Sequence, residues 1–308
     1  MPEERYVTGL PESSDPDPSG EFLIAPSPDD PNLTREVSGI DHEGRRVTTY
    51  VVAERPLTIF LNDQEIVTAM TVGDHPKLLA VGYLVNQAML RRDDTINSVE
   101  YDEEGEAVVV RTERTTDYEE MMRHRIRTSG CAVGTIFGQV MESFEETELD
   151  PDVRFRTSTL YSLSRKITLQ PSLYLKSGAI HGCALCDGER VLLYVEDVGR
   201  HNAADMIAGW LWINRVDASR MLLYTTGRLT SEMVIKTVQM GIPALVSRSG
   251  FTAQGVELAE RANLTLVGRV RGRRFLALAG TQRLVLDVDP AKVPDDPPTS
   301  IRKGAVRQ

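Results

Sequence analysis

The second half of this sequence alternates short apolar runs with segments of helical periodicity, and this alternation constrains the fold most strongly. Apolar runs at 191–195, 221–224, 244–246 and 264–267 are typical of buried strands. Helical patterns cover the residues between them, at 202–214, 231–240 and 252–261. A repeated strand–helix order with short connections predicts an α/β fold, a layered sheet flanked by helices.

The first half of the folded region has a different pattern. Alternating or β-branched runs predict strands at 48–52, 57–61, 65–71, 96–101 and 107–111, with one helix at 75–85. We therefore expect a smaller strand-rich N-terminal part over 46–134, which ends with the loop of the first cysteine, Cys131. An α/β part that binds a nucleotide or cofactor is expected over 135–286.

Composition sets apart the two ends of the chain. Residues 1–40 contain nine acidic residues and seven of the 16 prolines. A segment of this kind buries too little apolar surface to offset its ordering entropy, so an acidic, Pro-rich disordered tail is predicted. Residues 289–308 are predicted to be a second disordered tail.

The net charge of −10 is unevenly distributed along the chain. Residues 1–40 alone carry −7, so the remainder is close to neutral and an anionic ligand is not excluded. The sequence shows neither a signal peptide nor an apolar run of roughly 18 residues, so we expect a cytoplasmic protein without a membrane span. Three cysteines in a reducing compartment do not indicate a disulfide framework.

Three predicted strand-to-helix loops share a Gly, an Arg and a hydroxyl or amide residue, at 196–202, 225–231 and 247–252. Glycine allows close approach of the backbone, helix N-termini attract anions, and Arg binds phosphate oxygens. Each loop alone fits an ordinary turn with an ordinary N-cap. Three such loops in one sheet favour a phosphate-binding edge. None of them matches a P-loop or the GxGxxG pattern.

A fourth basic cluster lies between two apolar strands at 268–274, in a context typical of a hairpin. Four of the six residues from Arg269 to Arg274 are arginines. The cluster fits a solvated turn, a grip on a pyrophosphate or a nucleic-acid contact. Aromatic residues make up only 6% of the chain and no nucleic-acid module is visible, so nucleic acid is disfavoured.

Cys131 is the candidate nucleophile, because it lies in a small, polar and basic segment, Arg127-Thr128-Ser129-Gly130-Cys131. A helix is predicted to follow at 135–144. A cysteine close to arginines and to a helix N-terminus has a lowered pKa, which favours a nucleophilic thiolate or a persulfide. The alternative is a structural cysteine in the core.

The other two cysteines, Cys183 and Cys186, form a C-x-x-C motif next to His181. This motif fits a zinc site, plain packing or a redox pair. The segment has the pattern of a strand, in which side chains three residues apart point to opposite faces. Packing is therefore favoured over metal binding. Glu196, Asp197 and His201 fit either acid–base chemistry or hydrogen bonds that hold their loop.

Several of these segments together resemble the FdhD family, sulfur carriers that formate dehydrogenases need for activity. The resemblance spans roughly residues 46–286 in family order. The most specific string is Asp197-Val198-Gly199-Arg200-His201-Asn202-Ala203. The other matching segments are 55–59, 78–86, 127–133, 177–181, 226–236, 241–243 and 264–268.

The resemblance implies a sulfurtransferase and formate dehydrogenase accessory protein. Sulfur would pass from a cysteine desulfurase, through a persulfide on Cys131, to the Mo-bis(molybdopterin guanine dinucleotide) cofactor, Mo-bis-MGD. The cofactor is cargo or substrate here, and guanine nucleotides would mimic it. Formate dehydrogenase or a related molybdoenzyme is the expected partner. A cytidine deaminase-like mixed sheet and a homodimer are also implied.

The candidate site follows from the loop chemistry and, for the basic hairpin, from the family segment assigned to cofactor binding. No metal ligands are assigned. Besides catalytic Cys131, the cofactor-binding residues are Arg269, Val270, Arg271, Gly272, Arg273, Arg274, Gly199, Arg200, His201, Asn202, Thr226, Gly227 and Arg228.

The sequence departs from the family at Gly134, where a second cysteine is usual. A single thiol accepts and passes on sulfur but forms no local disulfide. Either Cys131 suffices, or Cys183 or Cys186 assists. The alternative function is a cofactor-binding chaperone or paralogue without sulfur transfer. A zinc hydrolase or deaminase that uses His181 is a third hypothesis, weakened by the missing H-x-E element.

Overall fold

The protein is described by a computed structural model that covers residues 22–91, 93–114, 125–127 and 135–295. The described residues contain seven α-helices and sixteen strands. The helices are α1 (Pro76–Asn86), α2 (Gly138–Glu146), α3 (Thr157–Leu169), α4 (Leu173–Ser177), α5 (Arg200–Ile213), α6 (Ser231–Gln239) and α7 (Ala253–Arg261). The strands are β1 (Thr34–Ile40), β2 (Arg46–Val52), β3 (Arg55–Leu61), β4 (Gln64–Thr71), β5 (Ile96–Asp102), β6 (Ala107–Thr112), β7 (Arg125–Arg127), β8 (Thr135–Phe137), β9 (Phe155–Arg156), β10 (His181–Asp187), β11 (Arg190–Asp197), β12 (Leu222–Thr225), β13 (Ala244–Ser247), β14 (Thr265–Arg271), β15 (Arg274–Ala279) and β16 (Leu284–Val285).

A six-stranded mixed sheet organises the second half, in the order β11-β10-β12-β13-β14-β15. Strands β12, β13 and β14 are parallel, while β10 is antiparallel to both of its neighbours. Strand β11 therefore runs in the same direction as β12. As a result, the carboxyl ends of four strands and the amino end of β10 share one edge. The predicted mixed α/β fold is confirmed.

Both faces of this sheet are covered, because its strands are apolar on both sides. On one face, Ile207 of α5, Val234 of α6 and Leu258 of α7 belong to the main core together with Leu223 of β12. On the other face, Leu163 of α3 belongs to a second cluster with sheet residues that include Val246. Helix α3 was not predicted, because its Ser, Thr and Arg content obscures its amphipathic pattern.

The strand-rich half forms a four-stranded sheet in the order β4-β3-β6-β5. Its helix α1 lies against α5 of the second half. The two helices approach so closely that a Cβ at Gly82 would overlap with the backbone carbonyl of Asp205, and a Cβ at Gly209 with that of Leu78. The two predicted parts, 46–134 and 135–286, therefore share one hydrophobic core.

The prediction of a disordered tail over residues 1–40 is wrong for residues 22–40. Phe22 and Ile24 are buried, and Leu23 N donates a hydrogen bond to Leu192 O. Residues 34–40 form β1, which pairs with β2. The composition of residues 1–40 did not predict this burial, because the apolar side chains pack on a distant part of the chain. Residues 1–21 lie outside the described residues.

Two further expectations differ in detail from the structure. The helix predicted at 135–144 begins later, since Thr135–Phe137 is a strand and Gly138–Glu146 is the helix. In the second predicted tail, Asp289 caps a 3₁₀ helix at Pro290–Lys292, and residues 296–308 lie outside the described residues. None of the helices in the described ranges is long and apolar enough to cross a membrane.

The close crossing of α1 and α5 is testable by substitution. Gly82→Ala should lower the free energy of unfolding by about 2 kcal/mol or more, because the added methyl group meets backbone that cannot move aside. Helix propensity alone predicts the opposite sign, a gain of up to about 1 kcal/mol. Urea denaturation measures the difference.

Gly39→Ala is the matched control, because a Cβ there meets nothing within 4 Å. Its stability should stay close to that of the unmodified protein. Equal stability of the two variants would contradict the close packing of these helices.

Candidate functional site

The three Arg-bearing loops and the basic hairpin meet at one edge of the six-stranded sheet. Ser247 Oγ donates a 2.6 Å hydrogen bond to Gly227 O, which joins the second loop to the third. Arg269 N donates to Ser249 O at 2.8 Å, which joins the third loop to the hairpin. The first loop is joined through Arg200, because a Cβ at Gly227 would lie 2.9 Å from Arg200 Cδ.

In the first loop, Asn202 faces the protein rather than a ligand. Its Nδ2 donates 2.8 Å hydrogen bonds to Asp197 Oδ1 and to Met70 O. Asp197 also accepts from Gly199 N at 2.9 Å and from the Thr71 hydroxyl. Burial raises the pKa of Asp197 to about 6. Gly199, Asn202 and Asp197 therefore hold the loop against the end of β4.

The helices that follow these loops differ at their N-termini. In α7, Thr252 Oγ1 accepts a 3.2 Å hydrogen bond from Gly255 N. The cap residues of α5 and α6, Gly199 and Thr230, make no side-chain cap hydrogen bond. The buried Thr230 hydroxyl has no hydrogen-bond partner among the described residues. The starts of α5 and α6 thus retain backbone donors that suit an anion.

Cationic and neutral groups are combined around these helix starts. Arg200 is buried and Arg228 is exposed. Burial, with Lys236 and Arg200 close by, lowers the pKa of His201 to about 2. Although His201 Nε2 lies 3.3 Å from Glu232 Oε2, this contact is therefore not an ion pair. Burial, Arg200 and Arg228 also lower the pKa of His181, which favours its neutral form.

The basic segment forms the predicted hairpin, in which Arg271 pairs with Arg274 and Gly272 has a φ of 52°. Three of its arginines are exposed: Arg269, Arg271 and Arg274. Arg273 instead lies 3.3 Å from Asp295, with which it forms an ion pair. The predicted site residue Val270 is only 1% exposed and packs in the second core cluster. Its side chain is therefore not available to a ligand.

A cleft of about 270 Å³ lies beside the first two loops. Its lining residues are Tyr174, Gly178, Ala179, Ile180, His181, Val198, Thr226 and Arg248. Sequence reasoning placed Thr226 in the site and recognised Arg248 as the arginine of the third loop. It missed Tyr174, although Ser172 and Gly178, the caps of the short helix α4, were a visible local signal.

Helix α4, which carries Tyr174, is anchored by Glu196. Glu196 Oε2 accepts a 2.6 Å hydrogen bond from Leu173 N, and Oε1 accepts from Tyr174 N at 3.4 Å. Burial raises the pKa of Glu196 to about 7, although these backbone hydrogen bonds oppose the shift. This carboxyl group thus stabilises one wall of the cleft.

Cys131 lies outside the described residues. The strands on either side of its segment are antiparallel partners, with Arg127 opposite Thr135. The two ends of the segment are therefore adjacent. Helix α2, which follows β8, packs against α6, the helix that begins after the second loop.

Cys183 and Cys186 lie within β10 and are fully buried, on opposite faces of the sheet. Burial raises the pKa of Cys183 to about 12 and raises that of Cys186 as well. Neither thiol is placed to exchange sulfur with a partner. The structure therefore does not support a role for Cys183 or Cys186 in place of the second cysteine that is missing at position 134. The ranges that the structure covers contain no group of three or more His, Cys, Asp or Glu suited to a metal ion.

Thiol labelling tests this burial. In the native protein, iodoacetamide should leave Cys183 and Cys186 unmodified, because a pKa of about 12 makes the thiolate fraction of Cys183 about a thousandfold smaller than usual. Both should react after unfolding in guanidinium, which serves as the internal control. Peptide mapping gives the site of modification. Rapid native labelling of either cysteine would contradict the buried arrangement.

The raised pKa of Glu196 predicts a pH-dependent stability. Since the folded-state pKa of about 7 exceeds the ordinary value of 4.5, the folded state binds the proton more tightly. The free energy of unfolding should therefore fall as pH rises from about 4.5 to about 7, and the full loss should be present above that window.

The Glu196→Gln variant has no ionisable group at this position, so it is the reference for the pH dependence of stability. The stability of the unmodified protein relative to this variant should drop by on the order of 3 kcal/mol across the window. Asp197 is present in both proteins, so its contribution largely cancels. Urea denaturation over a pH series gives both curves, and parallel curves would contradict the assignment.

Comparison with known proteins gives consistent matches. A family profile described as the FdhD/NarQ family matches residues 52–285. The sulfur carrier protein FdhD of Bacillus pumilus is 29% identical over 239 residues, which cover 77% of this chain and 91% of that protein. The protein of the same name from Saccharolobus solfataricus is 29% identical over 250 residues, which cover 79% and 94% of the two chains.

A solved structure is also similar. A formate dehydrogenase accessory protein from Desulfotalea psychrophila has 26% sequence identity to this chain and superimposes with a TM-score of 0.67. The superposition covers 82% of this chain and 99% of the other. The similarity therefore extends over nearly the whole of that protein.

Proposed function

Because the chain belongs to the FdhD/NarQ family, we propose that it carries sulfur for the molybdenum cofactor of a formate dehydrogenase or a related molybdoenzyme. Sulfur comes from a cysteine desulfurase and is held as a persulfide on Cys131. The substrate is Mo-bis-MGD. The observation that carries this proposal is the convergence of the Arg-bearing loops and the basic hairpin at one sheet edge.

The sheet edge supplies what the phosphates of a dinucleotide require. Arg200 and Arg228 provide positive charge next to the helix starts that lack a side-chain cap. The exposed arginines of the hairpin extend this charge beyond the third loop. In a chain with a net charge of −10, such a local cluster gives an anionic ligand a defined binding position.

Sulfur loading requires one activated thiol. The Cys131 thiolate attacks the outer sulfur of the desulfurase persulfide, a new S–S bond forms, and the desulfurase thiolate leaves. The outer sulfur of the new persulfide is then presented to the bound cofactor. Cys183 and Cys186 are buried with raised pKa values, which leaves Cys131 as the candidate for this step.

A second candidate function is that of a cofactor-binding chaperone without sulfur transfer. The observation that favours it is Gly134, which occupies the position where the family usually has a second cysteine. Cofactor binding at the sheet edge is common to both functions. They differ only in whether the thiol of Cys131 is required.

The proposal also includes a homodimer, action in the cytoplasm and a cytidine deaminase-like arrangement of the sheet. The homodimer and the sheet arrangement come from the family resemblance, whereas the cytoplasmic location comes from the sequence analysis.

Mass spectrometry after incubation with a cysteine desulfurase and cysteine tests the sulfur step. We expect a mass gain of one sulfur atom that is sensitive to reductant and absent from Cys131→Ala, because the activated thiolate is the acceptor. Cys183→Ala, which removes a buried thiol, should still gain the sulfur. No mass gain on any cysteine would overturn the sulfur-carrier function.

Reconstitution of a formate dehydrogenase separates the two candidate functions. A sulfur carrier requires Cys131, so Cys131→Ala should abolish reconstitution, whereas a pure chaperone retains it in this variant. Arg271→Glu should impair reconstitution under both functions, because it reverses a charge of the exposed hairpin. Arg35→Glu is the matched control, since it reverses an exposed charge on β1.

A further inference from the structure

The cleft beside the arginine loops differs from them in chemistry. Its lining includes Tyr174 of α4 and residues 178–180, together with Thr226 and Arg248 of the second and third loops. Ala179, Ile180 and Val198 contribute apolar surface. The lining therefore combines apolar contacts with a few polar groups, which is typical of a small-molecule site rather than of a phosphate cradle.

Tyr174 offers a flat surface to this cleft. Its side chain is 42% exposed, although most large apolar side chains of the fold are buried. The guanidinium carbon of Arg248 lies 5.6 Å from the centroid of its ring. An exposed aromatic ring next to a planar guanidinium group is an arrangement on which heterocyclic bases stack.

The polar groups of the cleft suit a ligand edge that has both donors and acceptors. The Thr226 hydroxyl accepts a 2.9 Å hydrogen bond from Gly182 N, which leaves its hydrogen available for donation. His181 also lines the cleft, and burial, Arg200 and Arg228 lower its pKa, which favours the neutral imidazole with one donor and one acceptor. A phosphate accepts hydrogen bonds only, so it would not use the acceptor nitrogen.

The size of the cleft limits what it holds. A volume of about 270 Å³ lies just below the roughly 300–1,000 Å³ of pockets for drug-sized ligands. One ring system with its sugar fits this space, and a complete dinucleotide does not. The rest of such a ligand must extend out of the cleft toward the neighbouring loops.

We propose that this cleft binds one planar heterocycle with a donor–acceptor edge, a purine or a pterin, stacked on Tyr174. The phosphates attached to it extend toward Arg200 and Arg228. The inference rests on the proposed function in one respect, because the heterocycle is taken to be part of the phosphate-bearing cofactor. It assigns the base and the phosphates to separate residues, so each can be tested alone.

Isothermal titration calorimetry on the full chain tests the proposal with four probes: GDP, guanosine, 6-hydroxymethylpterin and inorganic pyrophosphate. Tyr174→Ala should weaken the binding of GDP, and of whichever heterocycle binds, by about tenfold or more, which is the loss expected for one stacked base. Pyrophosphate binding should not change. Tyr174→Phe keeps the ring and should retain the affinity.

Tyr50→Ala is the matched control, because Tyr50 is also 42% exposed and also lies against a basic side chain, Lys176 of α4. It should leave the binding of all four probes unchanged. Arg248→Gln is the second variant in case Tyr174→Ala fails to fold. It removes the guanidinium group beside the ring and should weaken heterocycle binding in the same direction.

The probes separate the sources of the heterocycle. Binding of guanosine identifies a purine site, and binding of the hydroxymethylpterin identifies a pterin site. If neither binds, or if Tyr174→Ala and Arg248→Gln leave their affinity unchanged, the proposal is overturned.

Failure of the proposed function has a different signature. Arg228→Gln should weaken the binding of pyrophosphate and of GDP but not that of guanosine, because it removes an exposed cation assigned to the phosphates. If it affects no probe, the phosphate assignment fails and the heterocycle cleft remains. The mass-spectrometric outcome at Cys131 is independent of all four titrations.

Discussion

The arrangement of the site depends on the contacts that the buried carboxylate of Asp205 makes with Lys236 and Asn86. Lys236 Nζ donates to its two oxygens at 2.6 and 2.7 Å, and Asn86 Nδ2 donates at 2.6 Å. The backbone carbonyl of the same residue lies against Gly82. One residue thus connects α1, α5 and α6. Because α5 and α6 begin at the loops of Arg200 and Arg228, this contact sets the spacing of the site's cations. Breaking a buried pair of this kind costs about 3–5 kcal/mol.

Local pattern predicted much of the fold and missed the parts that depend on distant contacts. The strands and helices from 191 to 267 were expected close to their observed positions, because each has a clear period and a turn residue at its end. Helix α4 has five residues, and its first two backbone donors are satisfied by Glu196, more than 20 residues along the chain. Phe22 and Ile24 are buried against a strand about 170 residues away. No window of sequence contains such information.

The candidate site shows the same division between backbone and side chains. The residues of the loops correctly indicated that these segments meet at one edge of the sheet. Strand order and chain direction determine that meeting point. The loop residues did not indicate the direction of each side chain. Asn202 binds its own loop and Val270 enters the core, whereas Tyr174 and His181 line the cleft. Strand periodicity did predict the opposite faces of Cys183 and Cys186, because that depends on the backbone alone.

The reversed direction of β10 has a consequence for how such a protein changes its specificity. In a wholly parallel sheet, every segment at the carboxyl edge leaves a strand and leads into a helix. Here residues 178–180 arrive at that edge, enter β10 and line part of the cleft. Insertions or substitutions in this incoming segment alter the lining of the cleft and leave the sequence of the outgoing loops that carry the arginines unchanged. The architecture thereby places some of the residues that contact the heterocycle of a ligand on a different segment from the arginines that bind its phosphates.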